Sequence, residues 1–187
     1  MHFWGLTVTM GEPINIIKKV CLLGDPAVGK TSLIRKYVYD VFDDSYIPTI
    51  GTKVTKKSLE FAVGDQPIHL SILIWDILGQ KEFMTFHKAY FQGSEAGLLV
   101  CDATRPETIE NLNTWIASFM DSVGPVPIIF LVNKVDLVGA DNFNSEKLDA
   151  LTKKYETTYY LTSAKEGTKV EDAFKAISQK LIISAFR

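Results

Sequence analysis

From Ile14 onward, short apolar runs of strand length alternate with longer stretches in which apolar residues recur every three or four positions. That alternation is the pattern of βαβ units around a mostly parallel sheet, and it predicts an α/β fold. The first strand is expected over Ile14 to Leu23. Thr52 to Trp75 reads as two strands joined by a turn at Val63-Gly64-Asp65-Gln66-Pro67, the one antiparallel pair. The second of these strands ends with Ile72 to Trp75, and further strands are expected over Ile128 to Val132 and Thr157 to Leu161. Ile109, Leu112, Ile116 and Phe119 make one helical stripe and Val170, Phe174, Ile177 and Leu181 another, both read as core. Thr104 followed by Glu107, and Thr168 followed by Glu171, have the spacing of a capping box and are expected to open these helices.

A chain of 187 residues has the size of one domain. Residues 1–13 are left unassigned: Leu6, Val8 and Met10 alternate with Thr7 and Thr9, which suits a strand, a frayed terminus or a start of translation at Met10 equally. Residues 14–187 are expected to form the functional domain. With 47% apolar and 22% charged residues the chain can bury a core, and a net charge of -2 gives no electrostatic case for nucleic acid. Lys53, Lys56 and Lys57 are read as a solvated strand edge. Cys21 and Cys101 stand inside apolar runs and are expected to be reduced core residues of an intracellular, cytoplasmic protein. No apolar run reaches the roughly 18 residues of a membrane span. Asn15 stands where a myristoylation pattern starting at Met10 wants Ser or Thr, and no cysteine near Arg187 could take a prenyl group, so no lipid anchor is expected.

Chemistry begins where the first strand ends. Gly24-Asp25-Pro26-Ala27-Val28-Gly29-Lys30-Thr31 fits G-x-x-x-x-G-K-S/T. Glycines let the backbone curl so that successive N–H groups and a helix N-terminus face one anionic site, Lys30 adds a point charge, and Thr31 offers a hydroxyl to Mg2+. Alone this loop specifies a nucleotide and leaves ATP open. Asn133-Lys134-Val135-Asp136 narrows the choice, because the Asp136 carboxylate can accept from both N1–H and the 2-amino group of guanine, whereas adenine presents neither donor. Ser163-Ala164-Lys165, after the strand ending at Leu161, can add a backbone N–H for the guanine carbonyl oxygen.

Asp76-Ile77-Leu78-Gly79-Gln80 puts a carboxylate where it can hold a water of the Mg2+ shell, a glycine that permits close approach to the terminal phosphate, and a glutamine able to orient an attacking water. Tyr46-Ile47-Pro48-Thr49-Ile50-Gly51 supplies a threonine whose hydroxyl can reach Mg2+ and whose N–H can reach the γ-phosphate.

In this order and at these separations the four elements resemble the Ras superfamily of small GTPases over Ile14 to about Ile183. Ala89-Tyr90-Phe91-Gln92-Gly93 and Val100-Cys101-Asp102-Ala103-Thr104 are similar to its Rab branch, without that branch's terminal prenylation cysteines. The resemblance implies a P-loop NTPase fold with a six-stranded sheet of order 2-3-1-4-5-6, one antiparallel edge strand and five helices. It also implies that GTP or GDP and Mg2+ bind at the carboxyl ends of the strands. Gly24, Asp25, Ala27, Val28, Gly29, Lys30, Thr31 and Ser32 would surround the phosphates, Phe42 would pack on guanine, and Tyr46 would close over the phosphates with Thr49 and Gly79. Asn133, Lys134, Asp136, Ser163, Ala164 and Lys165 would hold the base. Thr31, Thr49 and Asp76 would serve the metal, and Gln80, Lys30 and Thr49 catalysis. Val54, Trp75 and Tyr90 would form a surface read by an activating protein, an exchange factor and effectors, with Val54 departing from the family's usual phenylalanine. A monomer is expected.

This implies a switch that hydrolyses GTP slowly unless assisted, since none of Arg35, Arg105 and Arg187 stands just before Thr49. Lys81 and Ile77-Leu78 depart from the family's usual residues and motivate a competing expectation, a GTP-dependent scaffold without useful turnover. An ATP-using enzyme would share only the phosphate loop.

Overall fold

The computed structural model describes residues 12–43, 45, 49, 51–77, 84–139, 143 and 145–186, with residues 84–87 described by backbone only. Strands β1 (Ile14–Leu23), β2 (Thr52–Val63), β3 (Gln66–Ile77), β4 (Ala96–Asp102), β5 (Ile128–Asn133) and β6 (Tyr159–Leu161) form one sheet in the order β2-β3-β1-β4-β5-β6. β2 and β3 pair antiparallel and the other four pairings are parallel, as the sequence pattern predicts. The helices are α1 (Lys30–Tyr39), α2 (Met84–Phe91), α3 (Pro106–Glu110), α4 (Leu112–Val123), α5 (Glu146–Lys154) and α6 (Val170–Ala185). α3 and α4 are two pieces of one helical unit, because Asn111 between them keeps right-handed helical angles (φ -66°, ψ -18°). Counted so, the described residues hold the five helices that the family resemblance implies.

Side-chain alternation along β1 builds two cores. Val20 and Leu22 face a cluster closed by α1 and α6, with Leu33, Ile34, Phe174, Ile177 and Leu181, while Cys21 and Leu23 face one closed by α4 and α5, with Trp115, Ile116, Phe119 and Leu148. β4 and β5 are buried on both faces, which is why their sequences read as unbroken apolar runs. Tyr37 of α1 stacks on Phe174 of α6 at 4.0 Å between centroids, and Phe91 of α2 meets Phe119 of α4 edge-on at 5.3 Å. Both expected stripes are core. Among the described residues no helix is long and apolar enough to cross a membrane.

The two expected capping boxes do not form. Thr104 turns its N–H and hydroxyl to Asp102 Oδ1 (2.9 and 2.7 Å), and the helix starts two residues later at Pro106, whose fixed φ suits a first turn. At the other site Lys169 takes the capping position in a left-handed conformation (φ 53°) without a side-chain bond, and Thr168 Oγ1 lies 3.4 Å from Glu166 Oε2. In both places the threonine hydroxyl donates to a nearby carboxylate and caps no helix N–H. Cys21 and Cys101 are buried free thiols, as expected. The unassigned reading of residues 1–13 falls mostly on 1–11, which lie outside the described residues.

Candidate functional site

The site gathers at the carboxyl ends of the strands because the register aligns those ends. Leu22 of β1 lies opposite Asp76 of β3, and Asp102 of β4 opposite Asn133 of β5. The loop after β1 needs both of its glycines. A Cβ on Gly24 (φ 138°) would sit 2.1 Å from the Val100 carbonyl oxygen, and one on Gly29 (φ 96°) 2.2 Å from Asn133 Nδ2. Ala27 between them is also left-handed (φ 59°). Gly29 caps α1 without any side-chain bond, so the first N–H groups of that helix have no capping oxygen and suit an anion. Lys30 is buried and donates to the Gly24 and Asp25 carbonyls at 2.7 and 2.9 Å. Burial pushes its ammonium down to about 8, against the opposing pull of Asp76 and Asp25. Ser32 lies half-buried in the first turn of α1, and Val28 is fully buried.

Three of the expected metal groups converge. Thr31 Oγ1 lies 2.5 Å from Asp76 Oδ2 and 3.1 Å from Thr49 Oγ1. Asp76 is buried and its Oδ1 has no partner, so a carboxylate oxygen waits for a cation or its water. Desolvation raises the Asp76 pKa, which Thr31 and Lys30 oppose; a divalent ion beside it would reverse the balance. Among the described residues no three His, Cys, Asp or Glu side chains gather as a metal cluster. Two hydroxyls and one carboxylate instead suit Mg2+, a hard ion that keeps waters and takes its other oxygens from phosphates.

On the base side Asn133 joins three loops. Its Nδ2 donates to the Val28 carbonyl at 2.9 Å, and its Oδ1 accepts the Ala164 N–H at 3.1 Å. The phosphate loop and the loop after β6 are thereby held to one side chain. Ser163 Oγ donates to Asp136 Oδ1 at 2.7 Å and accepts the Glu166 N–H, which fixes the carboxylate expected to read the base. Lys134 is left-handed (φ 65°) and its ammonium lies 2.6 Å from Asp102 Oδ2. Lys165 follows on the exposed turn, and Phe42 is half-buried against the α1 and α6 core.

Asp25 stands in the phosphate loop with its side chain turned outward. Its backbone carbonyl takes Lys30, while its buried carboxylate points to the α3–α4 unit, accepting Asn111 Nδ2 at 2.6 Å and Trp115 Nε1 at 2.8 Å. These two residues, with Asp102 and Arg105, were not reached by sequence reasoning. The contacts of Arg105, Asn111 and Trp115 with the loop span 79 to 90 positions of chain, so no local spacing announces them. Tyr46, Gly79 and Gln80 lie outside the described residues.

Val54 of β2, Trp75 of β3 and Tyr90 of α2 are the residues expected to meet partners. Val54 pairs with Trp75 across β2 and β3 and is 46% exposed, and Tyr90 is 37% exposed. Lys19 binds this surface from below, its ammonium 3.8 Å from the Trp75 ring and donating to the Tyr90 and Gln92 carbonyls at 2.6 and 2.8 Å.

The Ras family model matches residues 19–183. The chain is similar to Ras-related protein Rab7 of Cenchrus ciliaris, 36% identical over 176 residues that cover 90% of this chain and 84% of that protein. It is also similar to Ras-related protein Rab7 of Drosophila melanogaster, 36% identical over 88% of this chain and 80% of that protein. Ras-related protein Rab-13 of Mesocricetus auratus is 29% identical over 94% and 85%. With its sheet order, its phosphate loop after β1 and its Asn-Lys-x-Asp loop after β5, the chain belongs to the Ras family of small GTPases, on the Rab branch.

Proposed function

We propose that this protein is a guanine-nucleotide switch that hydrolyses GTP to GDP and phosphate with Mg2+, serving intracellular trafficking from the cytoplasmic side. The observation that carries the reading is Asn133, whose one amide ties a loop built for phosphate to a loop built for guanine. Asp136, steadied by Ser163, would accept from guanine N1–H and the 2-amino group, with the Ala164 loop completing the base pocket. Lys30 and the N–H groups at the start of α1, which no N-cap side chain covers, would carry phosphate charge, and Gln80 would orient the attacking water. Thr31, Thr49 and Asp76 would hold Mg2+, which when bound neutralises charge on the phosphates. Thr49 would leave its place near Thr31 when no γ-phosphate is present, which is the switch. The Val54, Trp75 and Tyr90 surface would meet exchange factors, activators and effectors.

Competition binding tests the base reading. Wild type is expected to prefer GTP over ATP by roughly 10^4 or more, since a site built for polar pairing rejects ligands that leave it unpaired. Asp136→Asn turns an acceptor into a donor, so GTP should lose about 2 to 3 kcal/mol and XTP, with a carbonyl at that position, should become the better ligand. A variant that still prefers GTP would remove Asp136 from base reading. Single-turnover hydrolysis with and without cell extract then separates switch from scaffold, because a scaffold retains its GTP in both.

A further inference from the structure

Arg105 links the two halves of the pocket. Its Nε donates to Asp102 Oδ2 at 3.1 Å and its Nη2 to the Pro26 carbonyl oxygen at 2.9 Å. Asp102 Oδ2 also takes the ammonium of Lys134 from the base loop at 2.6 Å, while Oδ1 takes the Thr104 N–H and hydroxyl. Burial alone would raise this carboxylate's pKa, yet the Lys134 and Thr104 hydrogen bonds hold it below the ordinary range, so Asp102 is an anion at neutral pH. A planar guanidinium reaches two acceptors in a fixed fork, which a lysine ammonium cannot reproduce.

The acceptor on the phosphate loop has a particular meaning. In a trans peptide the C=O and the following N–H point to opposite sides, and there are no cis peptides among the described residues. Arg105 holds the Pro26 carbonyl on the outer side and so turns the Ala27 N–H away from itself. Pro26 has no N–H of its own, which leaves Ala27 as the donor of this stretch, and its left-handed angle (φ 59°) is strained for a residue with a Cβ. Arg105 also lies close enough for its charge to contribute to lowering the Lys30 pKa.

We propose that Arg105 is a positioning residue that fixes the Pro26–Ala27 peptide with its N–H turned toward phosphate and, through Asp102 and Lys134, couples the phosphate loop to the base loop, so that bound nucleotide leaves slowly. The inference rests on the guanine-nucleotide reading above. In wild type, a fluorescent GDP with Mg2+ should be retained. Arg105→Ala should release it about tenfold faster, the scale of a lost hydrogen bond between charged and neutral groups. The affinity of GMP, which leaves much of the loop unfilled, should change less than about threefold. Equal loss for GMP and GDP would overturn the positioning role, because a general loosening of the fold weakens both.

Arg105→Lys keeps the charge and is the second variant should Arg105→Ala fold poorly, as judged by melting in saturating GDP. It should release GDP nearly as fast as the alanine variant, and full restoration by lysine would overturn the two-acceptor bridge. Wild type that fails to retain GDP would defeat the nucleotide reading itself. Wild type that retains GDP beside an Arg105→Ala variant of unchanged release rate would defeat the role of Arg105 alone.

Discussion

At position 24 a methyl group would collide with backbone rather than with a side chain that could turn away. The Val100 carbonyl oxygen would lie 2.1 Å from it, and φ is 138°. Gly64, in the hairpin turn, is also left-handed (φ 60°) but has nothing within 4 Å of an added Cβ. The two glycines thus separate conformational strain from collision. Gly64→Ala should cost about 1 to 2 kcal/mol, the left-handed penalty alone. Gly24→Ala should cost about 4 kcal/mol or more, because β4 must move as well. Denaturant unfolding in saturating GDP measures both, and equal losses would mean that Gly24 serves only to turn the chain. Sequence alone singled out Gly24, Gly29, Lys30, Thr31 and Asp136 as candidates because the chemistry they were read for demands fixed spacings. It did not show what Gly24 and Gly29 exclude, since Val100 and Asn133 meet them from other strands.

Among the elements, the hairpin and the parallel strands were readable from alternation and from double-faced apolar runs, while the strand order came only from what the family resemblance implies. What the pattern hid was the α3–α4 unit. Its apolar stripe Ile109, Leu112, Ile116 and Phe119 runs through the irregularity at Asn111 without a sign of it, since all four are buried on one side. Asn111 and Trp115 lie one helical turn apart and therefore point the same way, both at the Asp25 carboxylate. The helical unit thus grips the phosphate loop through a buried carboxyl group. Trp115→Phe keeps most of the ring and removes the N–H, leaving Asp25 Oδ1 without that donor at an expected cost of about 2 kcal/mol. Trp115→Ala should cost about 3 to 5 kcal/mol by adding a cavity. Equilibrium unfolding distinguishes them, and a phenylalanine variant as stable as wild type would show that the indole N–H bond to Asp25 contributes nothing net.

For the whole molecule, the pocket lies between parts of the chain that are far apart in sequence: the β1–α1 loop and β3 on one side, the ends of β4, β5 and β6 on the other. Protein groups alone close this seam with buried polar side chains, Lys30, Asp76, Asp102 and Asn133, of which Asp76 Oδ1 has no partner. Such a seam is costly where its polar atoms stay unpaired and is stabilised by a ligand that pairs them. On the proposed reading nucleotide and metal bind the folded state alone, so stability should rise with their concentration as RT ln(1 + [L]/Kd), which is about 4 kcal/mol at a thousandfold excess over Kd. Melting with GDP and Mg2+ should therefore lie well above melting with ADP and Mg2+. Chelation of the metal with GDP still present should lower it, because the Asp76 oxygen then loses its cation. Asp76→Asn should melt lower than wild type with GDP and Mg2+ and should lose most of its response to chelation. If it responds to the chelator as wild type does, the metal is held elsewhere and the Thr31, Thr49 and Asp76 assignment fails.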